Sequence, residues 1–444
     1  MKNILFVTDS FVGGGLEARI VEQTKILKRK HVRFYLICNK FNPIYEKYFS
    51  DVSESLKLNN QLKEISANDV LTDVDTICNF CVEHDIDFID CHPFMCTLPA
   101  TLAAERTNTP ISFTLHGVTS GDFIDGSKNP AGKALYQLAI SYGFDKHFAV
   151  AEYLAILNSH LTDISIVRNG SFLDSLNYRS FKNTKTVAIA SRLDPEKAQL
   201  VIDFLPSVYN SKAIDKIDIY GDGGGIENLK SFIAEKRMGD KVFVKGWEKN
   251  LSKKLSEGEY MLVFGMGRVV LDAILSGTPV GVLGYGGFAG LVSRSNLQDF
   301  AKNNLTSWES NTTLTNELKH FFIKPSEYIF SKKDLDMFNA EVIWQKYYDT
   351  ISEINHSANV VPQRIFDLLI KNPNIDILKD QELFLTCVRL LADGKNPIST
   401  KLFFSIFQLQ FDEIAELKNK IESLSTPTQT LRTKLHNRLK RKGK

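Results

Sequence analysis

Two cations, Arg192 and Lys197, stand five positions apart directly after the apolar run Val187-Ala188-Ile189-Ala190. That run reads as a buried strand, so its end delivers paired positive charge to one place. Further on, Gly265-Met266-Gly267 follows a second apolar run, Met261-Leu262-Val263-Phe264, and opens an amphipathic helix carrying Arg268 and Asp272. A diphosphate needs paired cations, free backbone N–H groups at a helix start and close backbone approach. Together the two segments point to a site for a nucleotide-linked substrate.

The elements that position these residues alternate between strand and helix patterns. Asn3 to Thr8 is a strand that runs into Ser10-Phe11-Val12-Gly13-Gly14-Gly15. A helix follows with Leu16, Ile20 and Leu27 on one face and Glu17, Arg19, Glu22 and Lys25 mostly off it. Strands are expected at 33–38, 88–92, 111–116, 147–150 and 164–167, the third and fourth segments of the region ending in His92 and His116. Polar sequence from Ser171 to Asn183 reads as a linker. A second series then follows at 186–190, 216–220, 242–246, 261–264 and 279–283, with the glycine turn Gly221-Asp222-Gly223-Gly224-Gly225 after its second strand. The expected fold is therefore α/β, with two facing, doubly wound parallel-sheet domains and a ligand cleft between them at the carboxyl ends of the strands. The expected divisions are 1–175, 184–330, a helix at 331–354 packing back toward the first domain, a helical extension at 355–425 and a basic tail at 426–444.

Bulk composition narrows the class. At 444 residues with 43% hydrophobic content, the chain exceeds one ordinary core. Lys and Arg total 54 against 52 for Asp and Glu, so no global charge argues for nucleic acid. The charge is uneven: seven Lys or Arg and no acid lie between Thr426 and the C-terminus. Such a tail suits either a solvated end or an anionic membrane surface. Six cysteines do not form a disulfide framework, and Cys78-x-x-Cys81 lacks the paired knuckles of a zinc site. No apolar run is long enough to span a membrane, so a cytoplasmic protein is expected, with no metal site.

The residues carry a resemblance to the large family of bacterial retaining glycosyltransferases with the GT-B fold (glycosyltransferase family 4, group 1 type). Gly13-Gly14-Gly15-Leu16-Glu17 resembles its N-terminal glycine loop, His116-Gly117 its histidine after a first-domain strand, and Asn169-Gly170 its Asn-Gly before the linker. Ser191-Arg192-Leu193 through Lys197 resembles the pair that grips the donor diphosphate, and Tyr220-Gly221-Asp222-Gly223 and Lys245-Gly246-Trp247 match two glycine turns of the second domain. The pieces occur in the family's order over 1–354.

The resemblance implies transfer of a sugar from a nucleotide-sugar donor, a UDP-sugar, to a glycan or lipid-linked acceptor in cell-surface polysaccharide synthesis, with no cofactor. It implies His116, Arg192 and Lys197 as catalytic residues. Gly14, Gly15, Gly223, Gly267, Arg268, Asp272, Gly286, Gly287 and Phe288 fall on the donor side, and Glu17 and His92 on the acceptor side. Backbone N–H groups at Gly267-Arg268 and Gly286-Gly287-Phe288 are expected to help hold the leaving diphosphate. With retention, the departing phosphate oxygen takes the acceptor's proton. One departure stands out. The family places two glutamates eight positions apart around its Gly-Phe-Gly turn; here the positions hold Phe264 and Asp272. Asp272 can still meet a ribose hydroxyl, Phe264 cannot meet a sugar, and Arg268 is expected to face a phosphate or a sugar hydroxyl.

Other classes fail at definite residues. No Gly-x-x-x-x-Gly-Lys-Ser/Thr occurs, and neither glycine turn extends to Gly-x-Gly-x-x-Gly. The competing reading is a non-catalytic, glycosyltransferase-like binding or scaffold partner, favoured by Phe264 and the helical C-terminal region. Beyond residue 354, Ile414, Leu417, Ile421 and Leu424 have heptad-like spacing, and Leu431, Leu435 and Leu439 lie among cations as in a basic amphipathic helix.

Overall fold

The computed structural model describes residues 2–58, 64–176, 184–248, 251–257, 260–310 and 312–392. The heptad-like run and the basic tail lie outside the described residues.

Two sheets form. The first contains β1 (Asn3–Phe11), β2 (Arg33–Phe41), β3 (Asp51–Glu54), β4 (Phe88–Cys91), β5 (Ile111–Leu115), β6 (Lys146–Ala149) and β7 (Ile164–Ile166), in the order β3-β2-β1-β4-β5-β6-β7. Every pairing in it is parallel. The second contains β8 (Thr186–Ala190), β9 (Lys216–Tyr220), β10 (Val242–Gly246), β11 (Leu262–Gly265), β12 (Val280–Gly284) and β13 (Gly287–Leu291), in the order β10-β9-β8-β11-β12-β13. Only β13 runs antiparallel, against β12. β5 and β11 are buried at every position and β1 and β8 at all but one, so both faces are covered, as a sheet with helices on each side requires.

Two strands escape the sequence pattern for physical reasons. β3 is a partly exposed edge strand of sequence Asp-Val-Ser-Glu, so it shows no apolar run. β13 is glycine-rich, Gly-Phe-Ala-Gly-Leu, and carries no continuous apolar run. In each sheet the strand order reverses once, between β1 and β4 and between β8 and β11. Those reversals open crevices at the carboxyl ends, where ligands of such sheets collect.

The helix Ala340–Ser352 lies against the helix Gly15–Leu27 and buries Trp344, Tyr347 and Ile351 with Phe6, Phe34 and Phe148 of the first domain. The helices Val360–Lys371 and Gln381–Ala392 continue that attachment on the opposite face. Val361, Ile365, Leu369, Leu383 and Cys387 join the core made by the helices Ala67–Glu83, Thr97–Thr107 and Pro130–Tyr142. Residues 360–387 thus complete the first domain. Cys78 and Cys81 pack in the same core, their thiols pushed up by burial, Cys81 to about 12. Among the described residues no helix is long and apolar enough to cross a membrane.

The helix Gly15–Leu27 differs from its sequence reading. Glu17, Arg19 and Glu22, expected off the packed face, are 5%, 2% and 3% exposed. The helix is enclosed by its own sheet, the Ala340–Ser352 helix and the second domain, so its polar side becomes an interior surface. Burying charge there requires partners, and those partners organise the site.

Candidate functional site

A cavity of about 640 Å³ opens between the domains, lined from the first by Gly14, Gly15 and Lys25 and from the second by Arg192, Tyr220 and Asp272. Arg192 follows β8 and Arg268 follows β11, so both sit at the reversal of strand order in the second sheet.

The Arg192–Lys197 segment is shaped by its neighbours. Leu193 N–H donates to the Asp222 carbonyl at 2.9 Å, and Gly225 N–H donates to the Leu193 carbonyl at 2.7 Å. Gly223, at φ +148°, permits this closeness: a Cβ there would stand 2.5 Å from the Leu193 carbonyl carbon. Gly223 therefore presses two loops together and does not line the cavity. Asp194 caps the helix Pro195–Tyr209, accepting from Lys197 N–H at 3.1 Å, with Pro195 in the first helical turn. Its Oδ2 also pairs with Lys197 Nζ at 3.3 Å and Arg192 Nη2 at 3.4 Å. One carboxylate thus ties both cations. Burial lowers the Lys197 ammonium, and the Arg192 charge lowers it further. Arg192 faces the cavity with a side chain 67% exposed; Lys197 stands behind it.

Arg268 lines the cavity beside Asp272 and also engages groups of the protein. Its Nη1 donates to the Gly170 carbonyl at 2.7 Å and lies 3.5 Å from Glu22 Oε2, while its Nε donates to Asp272 Oδ1 at 3.2 Å. Through Nη1 and Nε the guanidinium binds partners from both domains while its side chain, 29% exposed, lines the cavity. Burial raises the carboxyls of Glu22 and Asp272 against the opposing pull of Arg268. Glu22 Oε1 also accepts from Trp344 Nε1 at 2.9 Å, which holds the Ala340–Ser352 helix to the same cluster. Gly267 takes φ +59° and donates its N–H to the Leu305 carbonyl at 2.8 Å, so that amide is also occupied. Phe264 points into the core, in edge contact with Phe204 and Phe288 at ring separations of 5.1 and 5.9 Å.

The Gly286-Gly287-Phe288 segment is the reversal between β12 and β13. Gly286 N–H donates to the Ser307 carbonyl at 3.2 Å, and Phe288 is a core residue at 6% exposure. The hairpin pairs Phe288 with Leu283 and turns its ring into the core. Glu17 is similarly internal: its Oε1 accepts from Val12 and Gly13 N–H at 3.1 and 3.0 Å and shapes the glycine loop.

His92 Nδ1 and His116 Nε2 lie 2.8 Å apart at the ends of β4 and β5. Burial holds both imidazoles neutral, His92 down to about 4 and His116 well below the usual range. Asp90, on β4, lies 4.0 Å from His92 Nε2 and accepts from Tyr347 Oη at 2.5 Å. Neither histidine lines the cavity. The sequence reading missed Asp194, Glu22 and Trp247. Asp194-Pro195 before an apolar helix is a legible cap signal; nothing local marks Glu22. Trp247 lines the cavity and is 63% exposed.

No family model and no curated protein matches this chain. Solved structures do. The Anabaena protein HepE, in complex with UDP and glucose, is 16% identical, with a TM-score of 0.60 over 80% of this chain and 100% of that one. Sucrose-phosphate synthase from Thermosynechococcus elongatus is 11% identical, with a TM-score of 0.62 over 80% and 99%. The lipopolysaccharide outer core galactosyltransferase WaaB, in its apo form, is 13% identical, with a TM-score of 0.52 over 79% and 99%. The two-sheet architecture is the GT-B fold that these structures share.

Proposed function

We propose that this chain is a glycosyltransferase that moves a sugar from a UDP-sugar to a glycan or lipid-linked acceptor, with retention, in cell-surface polysaccharide synthesis in the cytoplasm. The observation that carries the reading is the Arg192–Asp194–Lys197 cluster at the strand-order reversal of the second sheet, with Arg192 open to the cavity. The similar Anabaena structure holding UDP and glucose agrees with it.

The chemistry follows from charge. Breaking the anomeric C–O bond leaves an oxocarbenium-like sugar and a diphosphate that gains negative charge. Arg192 meets that charge directly, and Lys197 adds to the field from behind it. Asp194 keeps both cations oriented before the substrate arrives, so little reorganisation is needed. Gly14 and Gly15 bring backbone toward the same phosphates from the first domain, and Asp272 offers a carboxylate to the ribose. The acceptor hydroxyl forms the new C–O bond on the face the diphosphate leaves, and its proton passes to the departing phosphate oxygen. His116, tied to His92, is proposed to shape the sugar end of the cleft. The basic tail at 426–444 is proposed to touch an anionic membrane surface.

A second reading is a binding or scaffold partner. It is favoured by Phe264 turned into the core and by Arg268 engaged between the domains. Calorimetry with UDP, GDP, ADP and CMP separates the two readings. Binding of UDP, weakened about 10- to 100-fold in Arg192→Ala as loss of hydrogen bonds to a charged group entails, supports the donor site. Binding of none of the four leaves the scaffold reading in its place.

A further inference from the structure

Tyr285 and Trp308 are 40% and 42% exposed and stack on each other. Their ring centroids are 4.6 Å apart and their planes 11° from parallel. Tyr153, from the first domain, approaches the Trp308 ring at 6.0 Å, so the rings straddle the domain boundary.

The stack is built rather than incidental. Gly286 has no side chain where a Cβ would run into the Trp308 backbone, and Gly284 has none where a Cβ would stand 2.5 Å from Ser307 N. These two glycines let the 306–310 loop settle on the turn that carries Tyr285. The loop is then fixed from several sides. Gly286 N–H donates to the Ser307 carbonyl, and Ser310 Oγ donates to the Phe288 carbonyl at 2.7 Å. Just before it, the Leu305 carbonyl accepts from Gly267 N–H at 2.8 Å. The same stretch of chain therefore holds the aromatic pair and the turn that leads to Arg268 and Asp272. Tyr285 also lies within the electrostatic reach of Arg192 and Asp194.

We propose that Trp308 and Tyr285 form a stacking platform for a pyranose ring of the acceptor, an inference that rests on the glycosyltransferase reading. A pyranose has a face of axial C–H groups that packs on an aromatic plane while its hydroxyls stay in water. The two rings cover each other's facing sides, so the pyranose packs on the outer face of Tyr285, which Trp308 backs and holds rigid at little entropic cost. Tyr153 approaches Trp308 from the opposite domain and so ties the stack to the first domain. The partial exposure of the pair lets either ring be removed without emptying a core.

The test is saturation-transfer NMR on the full chain, first saturated with UDP, against the methyl pyranosides of glucose, galactose, N-acetylglucosamine and N-acetylgalactosamine. UDP affinity is measured alongside by calorimetry. The expected result is transfer to the ring C–H protons of at least one pyranoside. It falls at least fivefold in Trp308→Ala and in Tyr285→Ala, is retained in Trp308→Phe, and UDP affinity stays within twofold in all three. Transfer that is absent, or unchanged in both alanine variants, overturns the platform while leaving UDP binding to judge the donor site. If the alanine variants weaken UDP-glucose relative to UDP but leave the methyl pyranosides unaffected, the ring on the platform is the donor's and the acceptor assignment falls. Failure of UDP to bind, with pyranoside transfer still dependent on Trp308, removes the donor reading and keeps a saccharide site.

Discussion

Arg268 Nη1 bonds the Gly170 carbonyl oxygen at 2.7 Å, joining the turn after β11 of the second domain to the last residue before the interdomain linker. Glu22 and Asp272 flank the same guanidinium and form with it a partly buried cluster of alternating charge across the domain boundary. A Cβ at Gly170 would stand 2.8 Å from Glu22 Oε1, which leaves glycine as the residue that lets the cluster close.

Removing Arg268 leaves the buried Glu22 carboxylate and the partly buried Asp272 carboxylate without their shared cation. Arg268→Ala is expected to lose about 3 kcal/mol of stability, the cost of breaking a buried ion pair by deleting one partner. Glu22→Gln in the same chain is expected to recover part of that loss, because the amide still accepts from Trp344. Urea unfolding of the single and double variants checks this; a double variant no more stable than Arg268→Ala contradicts the charge argument.

Asp194 combines a helix cap with a bridge between two cations. Asp194→Ala is expected to cost about 1 kcal/mol through the lost cap, whereas Asp194→Asn, which can still accept from Lys197 N–H, stays within about 0.5 kcal/mol. Thermal unfolding of the two variants separates the cap from the bridge. Equal losses show that the charge pairing, rather than the cap, sets the stability.

His356 fastens the chain after the Ala340–Ser352 helix to the first domain. Its Nδ1 lies 3.0 Å from Asp145 Oδ2 and its Nε2 3.4 Å from Glu105 Oε2. The Asp145 hydrogen bond raises its pKa, against burial and with further help from the Asp145 and Glu105 charges. A raised folded-state pKa gives stability that is complete below the unfolded value near about 6.5 and is lost as pH rises through the folded value. His356→Ala is expected to be about 2 kcal/mol less stable than the parent at pH 6. The gap narrows toward pH 9 in paired denaturant melts. A gap that widens with pH refutes the pairing.

His92 and His116 act in the opposite direction. Burial lowers both, so the unfolded chain takes up protons near pH about 6.5 that the folded pair refuses, His92 down to about 4. Their contribution is therefore lost as pH falls through that window. His92→Gln, which keeps a partner for His116, is expected to flatten the decline of stability between pH 6.5 and 4.5. An unchanged slope means that the pair does not govern acid sensitivity.

Much of this protein was legible in its sequence because strand ends are marked locally. Val187 to Ala190 reads as a buried strand from composition alone, and the cations that follow it are fixed by chain connectivity. Asp194-Pro195 likewise announces a helix start. The glycine turns at 13–15 and 221–225 were visible as turns, and the alternation of strands and helices implied two parallel sheets with a cleft between them.

Tertiary structure decided what each side chain faces. Glu17, Arg19 and Glu22 look like a solvated helix face until a second helix and a second domain cover it. Arg268 reads as a free cation until Gly170 and Glu22, far away in sequence, claim its donors. Phe288 follows a glycine pair that resembles a phosphate turn, yet β13 returns antiparallel and drives its ring into the core beside Phe264. Trp308 and Tyr285 carry no signal of being partners. Periodicity reports only whether a residue lies toward its own element's packed face; which charge meets which, across a distance of many residues, is set when separate elements close on one another.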